Sequence, residues 1–171
     1  IQLLSATITN LINDGTISGS ADNSFANGIE ITNNSTIGTL TNNDTISGTA
    51  GNSFAYGIEV TSSTITTLTN NDTISGTTNN SFARGIEFSN NSTLGTLTNN
   101  GTISATAANS FANGIDITNN STIGTLTNNR TISGTATGNN GVGNFAYGID
   151  ISRSTITTLT NDGTITGTAG N

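Results

Sequence analysis

Apolar and polar residues alternate with a period of two in short bursts along the chain. Ile29-Glu30-Ile31, Ile58-Glu59-Val60, Ile86-Glu87-Phe88, Ile115-Asp116-Ile117 and Ile149-Asp150-Ile151 each set an acid between two apolar residues. Leu40-Thr41-Asn42 and Thr45-Ile46-Ser47 show the same alternation on two other segments. Successive side chains of a strand point to opposite faces, so each burst predicts a short strand with one apolar face. Helical spacing is absent, and β-branched Thr and Ile favour strands. Asn-Asn-Asp, Asn-Asn-Ser and Ala-Gly-Asn stretches separate the bursts as turns.

The bursts recur in a fixed order. Thr-Ile-(Ser/Thr) begins at Thr16, Thr45, Thr73, Thr102, Thr131 and Thr164, at spacings of 29, 28, 29, 29 and 33 residues. Phe-Ala-x-Gly-Ile-(Glu/Asp) begins at Phe25, Phe54, Phe82, Phe111 and Phe145, and Thr-Leu-Thr-Asn at Thr39, Thr67, Thr96, Thr125 and Thr158. A period of this length marks a repeat architecture, in which each unit buries its apolar side against the next. The expected fold is all-β: a right-handed parallel β-solenoid (β-helix) of about six coils of 28–33 residues, with three short strands per coil. The repeats run nearly end to end, so residues 1–171 read as one domain. At the ~4.8 Å spacing of paired strands, six coils make a rod about 25–30 Å long. The longest insertion, Gly138 to Asn144, falls between two anchors, where a loop can bulge without disturbing the stack. A leucine-rich horseshoe would need a convex segment that nothing here supplies.

Stacking turns each repeat position into a column. Ile17, Ile46, Ile74, Ile103, Ile132 and Ile165 predict one interior ladder, and the five anchor Phe residues another. Asn13, Asn42, Asn70, Asn99, Asn128 and Asn161 share one position and predict an amide-to-amide ladder along the axis. Gly15, Asp44, Asp72, Gly101, Arg130 and Gly163 share another, where Gly and Asp together suggest a left-handed turn.

Three columns carry candidate chemistry. Glu30, Glu59, Glu87, Asp116 and Asp150 each sit between inward apolar residues, so they are expected to point outward about 5 Å apart. Repulsion between such neighbours is roughly 1 kcal/mol in water and about fourfold larger near a protein surface. Solvent, raised pKa values, Arg84 and Arg153, or bound cations must offset it. Oxygen ligands suit Ca²⁺, although one carboxylate per coil is sparse and the glycine-rich nonapeptide Ca²⁺ repeat is absent. The plain alternative is a solvated stripe that keeps rods from pairing side to side. Thr39/Thr41, Thr67/Thr69, Thr96/Thr98, Thr125/Thr127 and Thr158/Thr160 flank an inward Leu and form a two-wide outward array, broken in the first coil by Asn10 and Ile12. Flat Thr-x-Thr ranks resemble those of ice-binding proteins, while outward Thr is also what a soluble strand uses anyway. Tyr56, Tyr147, Arg84, Asn27 and Asn113 share one variable position and make a candidate contact surface.

Composition narrows the chemistry. The chain has no Cys, Met, Trp, Pro, His or Lys, and its ten acids against three Arg give a net charge of −7. Such a balance offers no footprint for nucleic acid or an anionic membrane. No apolar run approaches the ~20 residues that span a bilayer. Thiolate, imidazole and Schiff-base chemistry are excluded, leaving carboxylates. A polysaccharide-cleaving site needs a carboxylate pair in two different environments, and a strictly repeated column offers one environment five times. No enzyme activity and no cofactor is therefore expected, with Ca²⁺ the one ion the acids suit. The Asn-x-(Thr/Ser) sequons, such as Asn43, Asn71, Asn100 and Asn129, follow from the abundance of Asn and Thr and carry no information.

Leu-Thr-Asn-Asn-Gly-Thr-Ile-Ser (97–104) and Leu-Thr-Asn-Asp-Gly-Thr-Ile-Thr (159–166), interleaved with Tyr-Gly-Ile-(Glu/Asp), resemble autotransporter passenger repeats. The resemblance covers essentially the whole chain and is carried by low-complexity motifs. It implies a secreted bacterial surface β-solenoid of the adhesin kind, and the lack of Cys fits export in an extended form. The family's membrane-inserted barrel has no counterpart here. The chain opens and closes in mid-coil without polar caps, which suggests an excerpt of a longer array or ends that stack on copies. The expected function is an extracellular structural and adhesive rod or fibre, self-associating end to end or side to side, or contacting a surface or glycan. Ice binding through the Thr array is the alternative, and a polysaccharide-active β-helix enzyme the remote one.

Overall fold

The computed structural model describes residues 1–138 and 144–170. Most of the insertion between Gly138 and Asn144 lies outside the described residues. Each coil has three strands. They are β1 (Gln2–Leu4), β2 (Thr7–Asn13) and β3 (Ile17–Ala21) in coil 1, and β4 (Ala26–Thr32), β5 (Thr36–Asn42) and β6 (Thr45–Ala50) in coil 2. Coil 3 has β7 (Ala55–Thr61), β8 (Thr64–Asn70) and β9 (Thr73–Thr78), and coil 4 has β10 (Ala83–Ser89), β11 (Thr93–Asn99) and β12 (Thr102–Ala107). Coil 5 has β13 (Phe111–Thr118), β14 (Thr122–Asn128) and β15 (Thr131–Ala136), and coil 6 has β16 (Phe145–Ser152), β17 (Thr155–Asn161) and β18 (Thr164–Ala169). Equivalent strands pair in parallel to give three six-stranded sheets, the first running β1-β4-β7-β10-β13-β16. The chain is thus an all-β solenoid of stacked coils, as the repeat predicts.

Register keeps every repeat position in its own column. Ile17 pairs with Ile46, Ile46 with Ile74, Ile74 with Ile103, Ile103 with Ile132 and Ile132 with Ile165. Ile, Leu and Val from all three sheets meet in one interior cluster, with Ile29, Ile58, Leu68, Leu97 and Ile115 fully buried. Burying each such side chain contributes about 1.5–3 kcal/mol. At Gly28 the first sheet approaches the third so closely that a Cβ would lie 2.7 Å from Gly57 O and 2.8 Å from Ile46 Cγ2. Glycine is the residue this approach admits.

The corners are fixed by polar ladders. Asn13, Asn42, Asn70 and Asn99 each donate Nδ2 to Oδ1 of the next coil's Asn at 2.8 Å, and Asn128 donates to Asn161 at 2.7 Å. Each Nδ2 also turns to local carbonyls; that of Asn99 reaches Gly101 O and Thr131 O. Ser35, Ser63, Ser92, Ser121 and Ser154 form a second ladder at another corner, where each hydroxyl accepts from the backbone N–H one coil below. Left-handed backbone occurs just before these serines, not at the Gly15/Asp44 column. Asn33 and Asn34 have φ of 55° and 60°, and Asn90–Asn91 and Asn119–Asn120 repeat the pair. The shorter coils use one such residue, Ser5, Ser62 or Arg153. Neither Asp44, Asp72 nor Arg130 has positive φ. At Gly101 and Gly163 of that column it is a close approach that favours glycine, an added Cβ lying 2.0 Å from Asp72 O and 2.1 Å from Arg130 O, whereas Asn supplies the left-handed pair because it tolerates that region best after Gly.

Candidate binding face

The three outer faces differ in chemistry. On the second sheet the threonines stand in unbroken register, Thr39 beside Thr67, Thr67 beside Thr96, Thr96 beside Thr125 and Thr125 beside Thr158, with Thr41, Thr69, Thr98, Thr127 and Thr160 alongside. Asn10 and Ile12 occupy these columns in coil 1, with Ile12 exposed. The third sheet carries a similar Thr and Ser surface through Thr45, Ser47 and Thr49 and their equivalents. The first sheet alone gathers aromatic, basic and acidic side chains.

Along the entry to the first sheet runs the Phe ladder. Phe25, Phe54, Phe82, Phe111 and Phe145 stack ring on ring with centroids 4.8–5.2 Å apart. The ladder is on the surface, not in the interior as predicted: Phe25 is 60% exposed and the three middle rings are half-buried. Each ring shields its faces against copies above and below, so it needs no place in the core. The one interior phenylalanine is Phe88, fully buried in the column of Ile31, Val60 and Ile117.

Beside the Phe ladder, Asn27, Tyr56, Arg84, Asn113 and Tyr147 form one column, and Glu30, Glu59, Glu87, Asp116 and Asp150 the next. The acids point away from the core as expected, but they are not evenly solvated. Glu30, Glu59, Glu87 and Asp150 are half-buried, and Asp116 is only 2% exposed. Arg84 of the adjacent column lies against Asp116 and Glu87, and Tyr56 against Glu87. Arg84 Nε donates to Asp116 Oδ2, its NH1 lies 3.7 Å from Glu87 Oε2, and NH1 also donates to the Tyr56 hydroxyl at 3.1 Å. The guanidinium sits 5.3 Å from the Phe82 ring centroid and 5.5 Å from that of Tyr56. Arg153, expected to help neutralise the column, instead donates to Asn119 at another corner.

The five carboxylates therefore occupy different environments, contrary to what strict repetition predicts. Burial pushes Glu87 up to about 7, with the nearby Arg84 opposing and Asp116 and Glu59 adding to the rise. Burial likewise raises Glu59 and Asp116, Arg84 again lowering Asp116. Burial works against the charge on Arg84, but Glu87 and Asp116 outweigh it and hold its pKa above the usual value. Desolvation raises Tyr56 as well.

Of the candidate contact residues, Tyr147 is 43% exposed, while Tyr56, only 4% exposed, lies beneath its neighbours. Arg84 is engaged on two sides by acids. No family model, no curated protein and no solved structure matches this chain. Sequence reasoning placed the variable and acidic columns on this face and set Arg84 against the acids, as the structure has it, but put the Phe ladder in the interior. What it missed is the unequal environment of the acids, for which the signal was the single Arg at a position otherwise held by Asn and Tyr.

Proposed function

We propose that this chain is an extracellular structural and adhesive rod of a bacterial surface protein, acting by display and not by catalysis. The observation that carries the reading is the register itself: each outward side chain is repeated along the axis at the strand spacing. A rod built this way offers one weak contact many times, and linked contacts multiply avidity without any strong single site. The first sheet is its contact face, because an exposed aromatic strip beside charge marks an interaction surface better than plain threonine does. Immunogold labelling of intact producing cells should place the protein outside the envelope, and gold confined to the cytoplasm would sink the proposal. Retention of the labelled chain on immobilised glycans or abiotic surfaces should fall at least tenfold in a Phe54→Ser/Phe82→Ser/Phe111→Ser variant that still shows a β-sheet circular-dichroism spectrum.

A second reading, ice binding, is favoured by the two-wide Thr array of the second sheet, in register over coils 2 to 6. Ordered methyls and hydroxyls on a flat face would hold water in a repeating arrangement. Ice grown in concentrated protein should then be faceted, with thermal hysteresis abolished by Thr98→Tyr; round, unfaceted crystals would exclude it.

A further inference from the structure

The acidic column is neutralised unevenly, and the difference is informative. In coil 4, Arg84 does two things: it bonds the acid of the coil above, Asp116, and it faces the acid of its own coil, Glu87. In coil 5 the same register position holds Asn113. Asn113 Nδ2 donates to the acid of the coil above, Asp150 Oδ2, at 3.4 Å, as Arg84 does one coil earlier. Its side-chain amide also hydrogen-bonds its own acid, Asp116, but unlike Arg84 it brings no positive charge to either carboxylate. Asn113 Oδ1 and Asp116 Oδ1 are both buried without a hydrogen-bond partner. Asn113 is only 4% exposed.

An orphaned acceptor at such depth is costly, and one belonging to a carboxylate more so. Two on one strand, with the Asp150 carboxylate one rung above, call for a positive centre where Arg84 supplies one below. We infer that Asn113, Asp116 and Asp150 hold a divalent cation of the Ca²⁺ class. An amide oxygen and two carboxylates are hard oxygen ligands, and Ca²⁺ accepts irregular sets completed by water, whereas Mg²⁺ demands a near-ideal octahedron. Among the described residues no three His, Cys, Asp or Glu side chains gather as a metal cluster; here the third ligand is an amide. Asp116 is the bridge, giving Oδ2 to Arg84 and Oδ1 to the ion. Burial and the Asp150 charge both raise its pKa, a penalty the cation relieves. Coil 2 repeats the theme more weakly. Asn27 Oδ1 is also unpartnered and its Nδ2 holds Glu59, but Glu30 already accepts from Gln2.

Tyr147 makes the site measurable. It is the register partner of Asn113, and the chain has only two Tyr and no Trp. Tb³⁺ is a Ca²⁺ surrogate that a nearby tyrosine excites. EDTA-stripped full chain should give tyrosine-sensitised Tb³⁺ emission, displaced by Ca²⁺ at far lower concentration than by Mg²⁺. Added Ca²⁺ alone should raise the unfolding midpoint. Asp150→Asn should weaken Ca²⁺ at least tenfold and cancel the midpoint shift, with its circular dichroism unchanged. Tyr147→Phe should lose the emission and keep the midpoint shift. If Ca²⁺ leaves the midpoint of the parent chain unmoved, ordered water satisfies the orphaned oxygens and the site is overturned. Binding undiminished in Asp150→Asn, or emission undiminished in Tyr147→Phe, would place the ion elsewhere and overturn it equally.

Discussion

Burial of Glu87 beneath Arg84 and beside two other carboxylates ties the stability of the rod to pH. Its pKa rises from 4.5 to about 7 on folding, so between those values the folded chain binds the proton more tightly than the unfolded one. Stability is then greatest below about pH 4.5 and falls as pH rises through 7, with Glu59 and Asp116 adding the same sign. The loss attributable to Glu87 is on the order of 2–3 kcal/mol. Denaturant midpoints in EDTA should drop from pH 5 to pH 8, and Glu87→Gln should flatten the slope; a midpoint that climbs over this window would contradict the burial. Asn99 makes a different demand. Its amide accepts from Asn70 and donates to Asn128, Gly101 and Thr131 in a buried corner. Asn99→Ala leaves those partners unpaired and should cost about 2–4 kcal/mol, a multiple of the 1–3 kcal/mol of one stranded group. Exposed Asn161, at the outer rung, accepts from Asn128 and donates to Gly163 alone. Asn161→Ala should cost under about 1 kcal/mol by the same measure.

At the level of the strand, period-two alternation was enough to assign inside and outside wherever it held for three residues, as at Ile29-Glu30-Ile31. Phe25 and its copies stand at or just before the start of the first-sheet strands, ahead of that alternation, so hydrophobicity alone had to decide and chose the core. In a stack this inference fails, because a surface column is shielded by its own copies. The Asn ladder was legible for the converse reason: amide pairing along the axis follows from register and does not depend on which side the column faces. Arg84 was legible as a partner for the acids, but the unequal burial of those acids was not, because it comes from one departure from the repeat, acting across coils. The two kinds of phenylalanine can be separated by truncation. Phe88→Ala empties a fully enclosed site and should cost about 3–5 kcal/mol. Phe82→Ala removes two stacked contacts at a half-exposed position, each worth about 0.5–1.5 kcal/mol, and should cost about 1–3 kcal/mol. Equal costs at the two positions would reverse the assignment of the ladder to the surface.

Across the whole molecule, each coil touches only the coils directly above and below it, so stability is a sum of coil energies and nearest-neighbour interfaces. The interfaces are close to identical, because the same Ile, Leu and Asn columns cross all of them. What varies is how many a coil has. Coils 4 and 5 are covered on both sides, whereas in this chain the inward residues Ile151 and Leu159 of coil 6 are about half exposed. A coil with one interface opens at a fraction of the cost of a coil with two. Backbone amides in β11, β12 and β14 should therefore exchange with solvent only through opening of several coils, and those in β17 and β18 much faster, with a gradient between them. Added Ca²⁺ should slow exchange in β16 most, since Asp150 is the ligand that ties coil 6 to coil 5. Exchange by mass spectrometry along the peptides would read both effects at once. A single uniform rate from β2 to β18 would mean that the rod unfolds as one body, and nearest-neighbour additivity would have to be abandoned.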